Sequence, residues 1–361
     1  MALRRNITLF SGIFLVMALS NAIVPVLSAY APGASLAGLV YASYFLGAFL
    51  ATLPSGMLAD RFTQVPVIRA GLVISILSGI ILAMTADPAI AAAARLIEGI
   101  GAGLFVAAAL SAVNSDPGHV RLSGWFMASQ NAGLVTGLVV AGFLAAGGRP
   151  AAGIALFTLL AALPAAASFL LRNTAGGPDP RPVFAVVPLV GEYRWIWYSA
   201  VVLIGVTGVV TALYPAYSGA PPEILSIWIA GMSVATIAAV LVFSRMPLVP
   251  GRSIQISAIL MAGGIVLAYF SPAGFLVIGA LAGVVMIAQM AYLAGVREQG
   301  TVMGLYATFS YLGMTIMPAV AGFIAGGMGF PAAFAFTAAA VLSVAAAAAA
   351  GNRGPAGGDP A

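Results

Sequence analysis

The chain has 361 residues, 62% hydrophobic and only 6% charged, with a mean hydropathy of +1.10, whereas soluble domains carry charge on about a quarter of their residues. A water-soluble globule is excluded, and the chain belongs in a lipid bilayer. Fourteen basic residues against nine acidic give +5, and the bases are all arginine and scattered, which excludes nucleic acid as a partner; with no cysteine and one histidine, His119, thiolate chemistry, the usual zinc sites and Ser/His triads are excluded too. No enzyme, metal or other cofactor is expected.

Apolar runs of about 18 residues or more are long enough to cross a bilayer as helices. They predict twelve spans, at 7–29, 36–58, 66–85, 89–113, 122–146, 151–171, 195–217, 224–243, 253–270, 273–293, 301–325 and 331–350. Breakers mark the connections: Ala31-Pro32-Gly33, Asp87-Pro88, Asp116-Pro117-Gly118, Gly147 to Pro150, Gly219 to Pro222, Pro247 to Gly251 and Ser271-Pro272. Arg4-Arg5 before the first span imitates an export signal, but the chain beyond that span is equally hydrophobic, so the segment reads as a span. With a cytoplasmic N-terminus, alternating loops put twelve arginines inside and only Arg149 outside, Arg95 lying within a span. The positive-inside rule then places both termini in the cytoplasm, with Trp195 and Trp197 as interfacial anchors.

A polar stretch rich in proline, glycine and charge at 173–194 divides six spans from six, giving bundles at 1–172 and 195–361 joined by a cytoplasmic linker. The halves repeat. The run from Ala141 to Gly147 answers that from Ala321 to Gly327 at an offset of 180, which also pairs Gly99 with Gly279, Gly103 with Gly283 and Gly133 with Gly313; Arg61 meets Arg245 and Pro66 meets Pro250 at 184. Two related six-helix bundles are the basis of alternating access, in which one bundle rocks against the other around a midplane site.

Two motifs give the chain, from Ile7 to Ala350, a family resemblance. Gly56-Met-Leu-Ala-Asp60-Arg61 resembles the start of the loop signature of the major facilitator superfamily, which implies that Gly56, Asp60 and Arg61 latch the cytoplasmic side in the outward-open state, Asp60 facing the start of span eleven. That signature continues with glycine and further bases; here Thr63, Gln64 and Val65 follow Phe62, and Arg69 stands in for the bases. Arg95-Leu-Ile-Glu98-Gly99-Ile-Gly101-Ala-Gly103 is similar to the Arg-x-x-x-Gly-x-Gly pattern of proton-coupled drug exporters. A phosphate loop is a poor alternative, since no strand or polar turn precedes the glycines. Gly133, Gly137, Ala141 and Gly142 follow the exporters' antiporter pattern in part, with Leu138 where it has proline and Pro318 at the matching place in the other half. Span one, with Asn21 and Pro25, is similar as well, with Ser20 and Asn21 where exporters often have an acid. The resemblance implies an all-α membrane protein of twelve helices in two pseudo-symmetric bundles, with Gly133, Gly137 and Pro318 joining the gating set.

Charge inside the hydrocarbon costs about 3 kcal/mol on insertion scales, so ionisable residues there are functional candidates. Arg95 and Glu98 are the two, ~9 Å and ~14 Å from the outer end of span four and three residues apart, hence on one face. Two readings stand. In one, Glu98 takes up and releases a coupling proton while Arg95 tunes it and orients substrate; in the other, the pair neutralises itself and locks span four to a neighbour. Asn21, Gln130 and Asn131 are amides near mid-membrane, candidates for the substrate cavity or for interhelical hydrogen bonds. Tyr44, Tyr214, Trp228, Gln289 and Tyr311 are weaker cavity candidates. His119, beside Asp116 and Arg121, reads as a solvated loop residue.

The expectation is a monomeric secondary transporter in a prokaryotic plasma membrane, with the bilayer, a small molecule and protons as its partners, exporting apolar or amphipathic compounds. An importer or facilitator of a sugar, amino acid or organic anion is the first alternative, and a transport-inactive assembly factor the second.

Overall fold

The computed structural model describes residues 2–114, 116, 119–171, 187–294 and 299–351, and no strand occurs among them. Its helices are α1 (Ala2–Ala22), α2 (Leu27–Tyr30), α3 (Ala34–Phe62), α4 (Gln64–Met84), α5 (Pro88–Asn114), α6 (His119–Ala145), α7 (Ala152–Ser168), α8 (Val187–Glu192), α9 (Arg194–Ser218), α10 (Pro222–Phe243), α11 (Pro250–Phe270), α12 (Ala273–Leu293), α13 (Gln299–Met328) and α14 (Phe330–Gly351). Eleven segments are long and apolar enough to cross a membrane, and α7, apolar but 17 residues long, is the twelfth. The bilayer explains this regularity: with no water to take up backbone hydrogen bonds, each crossing segment satisfies them within itself.

Local chemistry sets the departures. The first span is broken, because Pro25 sits in a 3-10 turn at Val24–Val26 that separates α1 from α2. Span six stops three residues early, since Phe169, Leu170 and Leu171 donate to carbonyls only three residues back. Residues 173–186 of the expected linker lie outside the described residues, while α8 occupies 187–192 and α9 starts at Arg194. Trp197 is not an interfacial anchor: it is buried, stacked on Phe309 at 5.2 Å, and its indole N–H donates to the Leu189 carbonyl at 3.1 Å. Gly56 to Arg61 lie in the last turns of α3, and only Thr63 separates α3 from α4. Thr63 adopts φ +73°, the one non-glycine residue with positive φ among those described. A β-branched residue is strained there by about 1–3 kcal/mol. The backbone thus keeps a conformation suited to glycine at the position where the loop signature has glycine.

Successive spans alternate in direction, so the connections after α2, α4, α6, α9, α11 and α13 share one face. Four turn through a left-handed glycine, at Gly33, Gly148, Gly219 and Gly329. In the other two, a side chain caps the next helix: Asp87 Oδ1 accepts from the Ala89 and Ile90 N–H groups, and Ser271 Oγ from that of Ala273. Arg4, Arg5, Arg69, Arg121, Arg194, Arg245 and Arg252 lie toward the opposite, arginine-rich end.

The sequence repeat corresponds to repeated packing. A Cβ on Gly99 would strike the Tyr44 carbonyl of α3, and one on Gly279 the Met232 carbonyl of α10; Gly133 meets Phe14 of α1 and Gly313 meets Val201 of α9 in the same way. The bundles touch each other along two seams, α3 with α13 and α6 with α10. At the glycine-turn end, Gly38 lies against Pro318 and Gly322, the Ser35 hydroxyl donates to the Gly322 carbonyl at 3.2 Å, and Gly142 lies against Ser226 and the Pro222 carbonyl. Toward the arginine-rich end α6 loses its cover. One stripe of α6 is buried at Leu138, Gly142 and Ala145 but exposed at Gly124, Met127 and Asn131. The apolar core divides accordingly: one cluster unites both bundles, and a second, around Leu9, Ile68, Phe105 and Phe126, belongs to the first bundle alone.

Candidate functional site

The glycines that bring α5 onto α3 also build the charged site. Side chains at Gly47 and Gly99 would collide with the backbone of Leu96 and Tyr44 respectively, so the helices meet at backbone contact. That approach sets the Tyr44 ring against Arg95, whose guanidinium carbon is 4.4 Å from the ring centroid. Arg95 Nη1 donates to Glu98 Oε2 at 2.7 Å and to the Ser20 carbonyl of α1 at 2.9 Å. Both side chains are 1% exposed. The Ser20 carbonyl is available because Ser20 lies near the end of α1, where the helix gives way to the turn at Pro25. The Tyr44 hydroxyl faces the Ser20 hydroxyl, which donates to the Met17 carbonyl. Satisfaction is incomplete: Arg95 Nε and Glu98 Oε1 are buried without a hydrogen-bond partner. Burial of two ions costs several kcal/mol each, and attraction offsets this only when every polar atom is paired.

The structure brings Tyr44 and Tyr311 to this neighbourhood, Tyr311 through Phe45, whose ring is 6.3 Å away. Asn131 lies on the exposed stripe of α6, its amide donating to the Met127 carbonyl of its own helix at 2.9 Å. Asn21 is half-buried and bridges helices, donating to the Leu134 carbonyl at 3.1 Å, while Gln130 is half-buried on α6. Three residues lie elsewhere. Tyr214 packs edge-on against Phe275 at 4.6 Å and Trp228 at 6.0 Å, in an aromatic cluster of the second bundle. Gln289, fully buried, donates to Ser199 and accepts from Tyr306 at 2.9 and 3.0 Å, joining α9, α12 and α13.

Of the gating set, Gly133 and Gly137 hold α6 against α1 within one bundle, and Pro318 lies on the seam at Gly38. Arg69 donates to the Ser168, Phe169 and Leu171 carbonyls at 3.1–3.2 Å, capping the end of α7. The surroundings of Gly56 and the side chains of Asp60, Arg61 and His119 lie outside what the structure describes. Sequence reasoning missed the seam residues Gly38, Ser226 and Gly322, and Tyr41 beside Gly208 and Thr211. A signal existed for the seam, since Gly142 and Gly322 occupy matching places in the seven-residue repeat, and their partners, Pro222 and Ser226 against Ala34 and Gly38, are themselves offset by 188. No cluster of metal-ligating side chains occurs among the described residues.

Two related helical bundles that meet along two seams, with a charged pair buried in the first, define a membrane transporter of the alternating-access type. The Major Facilitator Superfamily family model matches residues 9–295, and the chain belongs to that family. No curated protein sequence matches it. Among solved structures, the nucleoside transporter NupG is similar with a TM-score of 0.77 and 14% identity, over 96% of this chain and 99% of that one. A bacterial homolog of the human lysosomal transporter Spinster, in an inward-facing and occupied conformation, matches with a TM-score of 0.73 and 14% identity, over 97% and 96% of the two chains. At such identities the likeness is one of fold.

Proposed function

We propose that this secondary transporter exports small apolar or amphipathic molecules in exchange for protons, with Glu98 carrying the proton and Arg95 positioning it. The observation that carries this reading is the incompletely paired Arg95–Glu98 couple, buried where a purely structural contact needs no charge. Proton and substrate each favour one orientation, and exchange follows from their differential affinity for the two states. Asn131, Tyr44 and Tyr311 border the cavity in this reading, with Gln130 beside them. The cavity is poor in fixed charge, which disfavours phosphorylated solutes. The positive-inside rule puts the arginine-rich end in the cytoplasm of a prokaryotic plasma membrane in this reading, and the uncovered stripe of α6 then faces inward.

Purified protein in vesicles with an internal pH dye tests this, with amphipathic cations and neutral compounds as candidate substrates. Substrate that enters the vesicle expels protons, so the interior turns alkaline, and Glu98→Gln abolishes the change. Acidification instead means symport, the signature of an importer. Substrate movement without any pH change means facilitated passage of a neutral solute. An assembly role alone leaves no compound moving and survives Glu98→Gln.

A further inference from the structure

Asn21 meets α6 at a defined place. One stripe of α6 runs through Gly124, Met127 and Asn131, all exposed, to Leu134, half-buried, and on to Leu138, Gly142 and Ala145, all buried. Leu134 is therefore the blind end of the uncovered stretch, and its carbonyl is the one that takes the Asn21 amide at 3.1 Å. That bond fixes the amide's orientation: the nitrogen is held against α6, and Oδ1, on the other arm, points away from Leu134. Oδ1 accepts from no protein group among the described residues and, unlike Glu98 Oε1, is not closed off by the protein. An amide oxygen carries two lone pairs, so this one remains open to a donor from outside the chain. Gln130, four residues before Leu134 and hence on the same face, is the other neutral amide here. Neither Arg95 nor Glu98 competes for such a donor, because both are 1% exposed.

The neighbouring bond on α1 belongs to the charged pair. Arg95 Nη1 donates to the Ser20 carbonyl at 2.9 Å, and that carbonyl and the Asn21 N–H are the two ends of one planar peptide unit. Asn21 is thus attached directly to a group that Arg95 holds. The helix is loosened at this point. Pro25, four residues after Asn21, has no N–H to offer the Asn21 carbonyl, and the backbone passes into the 3-10 turn at Val24–Val26. The Ser20–Asn21 peptide can therefore tilt without breaking a helical bond at the Asn21 carbonyl, and the Asn21 side chain moves with it. The second bundle has no equivalent, since the offset of 180 puts Val201 in the place of Asn21 and Phe275 in that of Arg95.

We propose that Asn21 Oδ1 is a recognition group of the transporter, that it selects solutes carrying an N–H or O–H donor over those without one, and that the Ser20–Asn21 peptide joins this contact to the Arg95–Glu98 pair. A solute entering along the uncovered stripe of α6 reaches Asn21 at its blind end and meets an acceptor with no exposed charge beside it. Ammonium ions with an N–H, alcohols and amines satisfy that oxygen, carboxylates and phosphates repel it, and quaternary ammonium ions leave it without a hydrogen bond. A bound donor pulls on the Asn21 side chain, and the pull reaches Arg95 through the peptide. The selection rests on the reading of this chain as a transporter of amphipathic molecules, and the junction rests in addition on proton exchange.

Matched probes test the selection on the full-length protein in nanodiscs, by equilibrium dialysis with empty discs as the reference. Dimethyl(phenylbutyl)ammonium and trimethyl(phenylbutyl)ammonium carry the same charge and differ by one N–H; phenylbutanol and its methyl ether are the neutral pair. The donor-bearing member binds more tightly, by about tenfold for the ions and about threefold for the neutral pair. Asn21→Leu abolishes both preferences and leaves the quaternary ion and the ether binding as before. Equal losses for all four probes give Asn21 a purely structural part and overturn the selection, as do equal affinities within each pair in the unsubstituted protein, or binding of none of the four. The cysteine-free chain permits a direct test of the junction. Nitroxide labels at Ala86→Cys and Ala273→Cys, exposed positions at the glycine-turn end with one in each bundle, report opening as a pulsed dipolar distance. The tertiary ion at saturation shifts the ratio of narrow to wide populations by about fivefold, and Asn21→Leu and Glu98→Gln each remove the shift. A full shift in either variant, or no shift in the unsubstituted protein, overturns the junction, and dialysis still decides the selection. If the pH dye shows no proton exchange while the donor preference holds, the coupled-export reading fails and the selection stands. Unchanged thermal transitions in detergent show that the variants fold.

Discussion

Within the repeat, the slot that holds Arg95 in the first bundle holds Phe275 in the second, and the slot of Glu98 holds Ile278. The backbones pack alike, α5 on α3 through Gly99 and α12 on α10 through Gly279. Yet Arg95 lies over the Tyr44 ring beside an ion pair, while Phe275 meets Tyr214 edge-on at 4.6 Å with no polar partner. The second bundle demonstrates that hydrocarbon fills this position without difficulty. Under the proposed proton exchange, the charge in the first bundle is held at a cost of several kcal/mol for a purpose other than packing.

The comparison is open to direct attack. Arg95→Ala, which strands Glu98 in the core, lowers stability by about 3–5 kcal/mol, seen as a lower thermal transition in detergent. Arg95→Phe with Glu98→Ile, which rebuilds the first bundle in the image of the second, leaves stability unchanged or raises it by about 1–4 kcal/mol, and proton-coupled transport is lost. A stability loss in the double variant equal to that of Arg95→Ala would falsify the view that the charges serve something other than packing. The seams sharpen the same contrast between bundles. Gly322→Val and Gly142→Val insert bulk where the bundles close, at about 1–3 kcal/mol of overpacking, and move the dipolar distance at the glycine-turn end to wider values by about tenfold in population ratio. Equal shifts from the two sites mean equivalent seams, and a larger one from Gly322→Val, on the Tyr41 side, means that this seam dominates. Thr63→Gly relieves the strained connection after α3 and raises stability by about 1 kcal/mol, net of the entropy that glycine loses on folding. Arg69→Ala has the smallest effect, about 0.5 kcal/mol from the uncapped end of α7, with transport retained.

Much of the fold was legible because lipid imposes one rule on every crossing segment. Apolar length alone placed α12 at Ala273–Leu293 and put most other helix ends within three residues. It failed where local chemistry intervened, at the Pro25 break and where Phe169 to Leu171 unwind on Arg69. Arg95 and Glu98 stood out as the charged residues inside a span. Their partners stood out less, because the Ser20 carbonyl is a backbone group and Tyr44, a weaker cavity candidate, is one of eleven tyrosines in the chain. The seams were written in the sequence as a repeat, but a repeat does not say which face of a helix meets the other bundle. Tyr41 illustrates the limit: its neighbours on α9 and α13 are more than 160 residues away, and nothing in its local sequence marks it.

The turns at the glycine-turn end have a practical corollary. Connections this short, pinned at Gly33, Gly148, Gly219 and Gly329, offer no flap to lift and no loop to reshape. Access from that side is therefore governed by the collective rotation of the bundles, a motion on the microsecond-to-millisecond scale. A blocker approaching from that side has to act as a wedge driven between bundles, and a binder raised against it will sense the orientation of the whole molecule, because almost nothing else is displayed there.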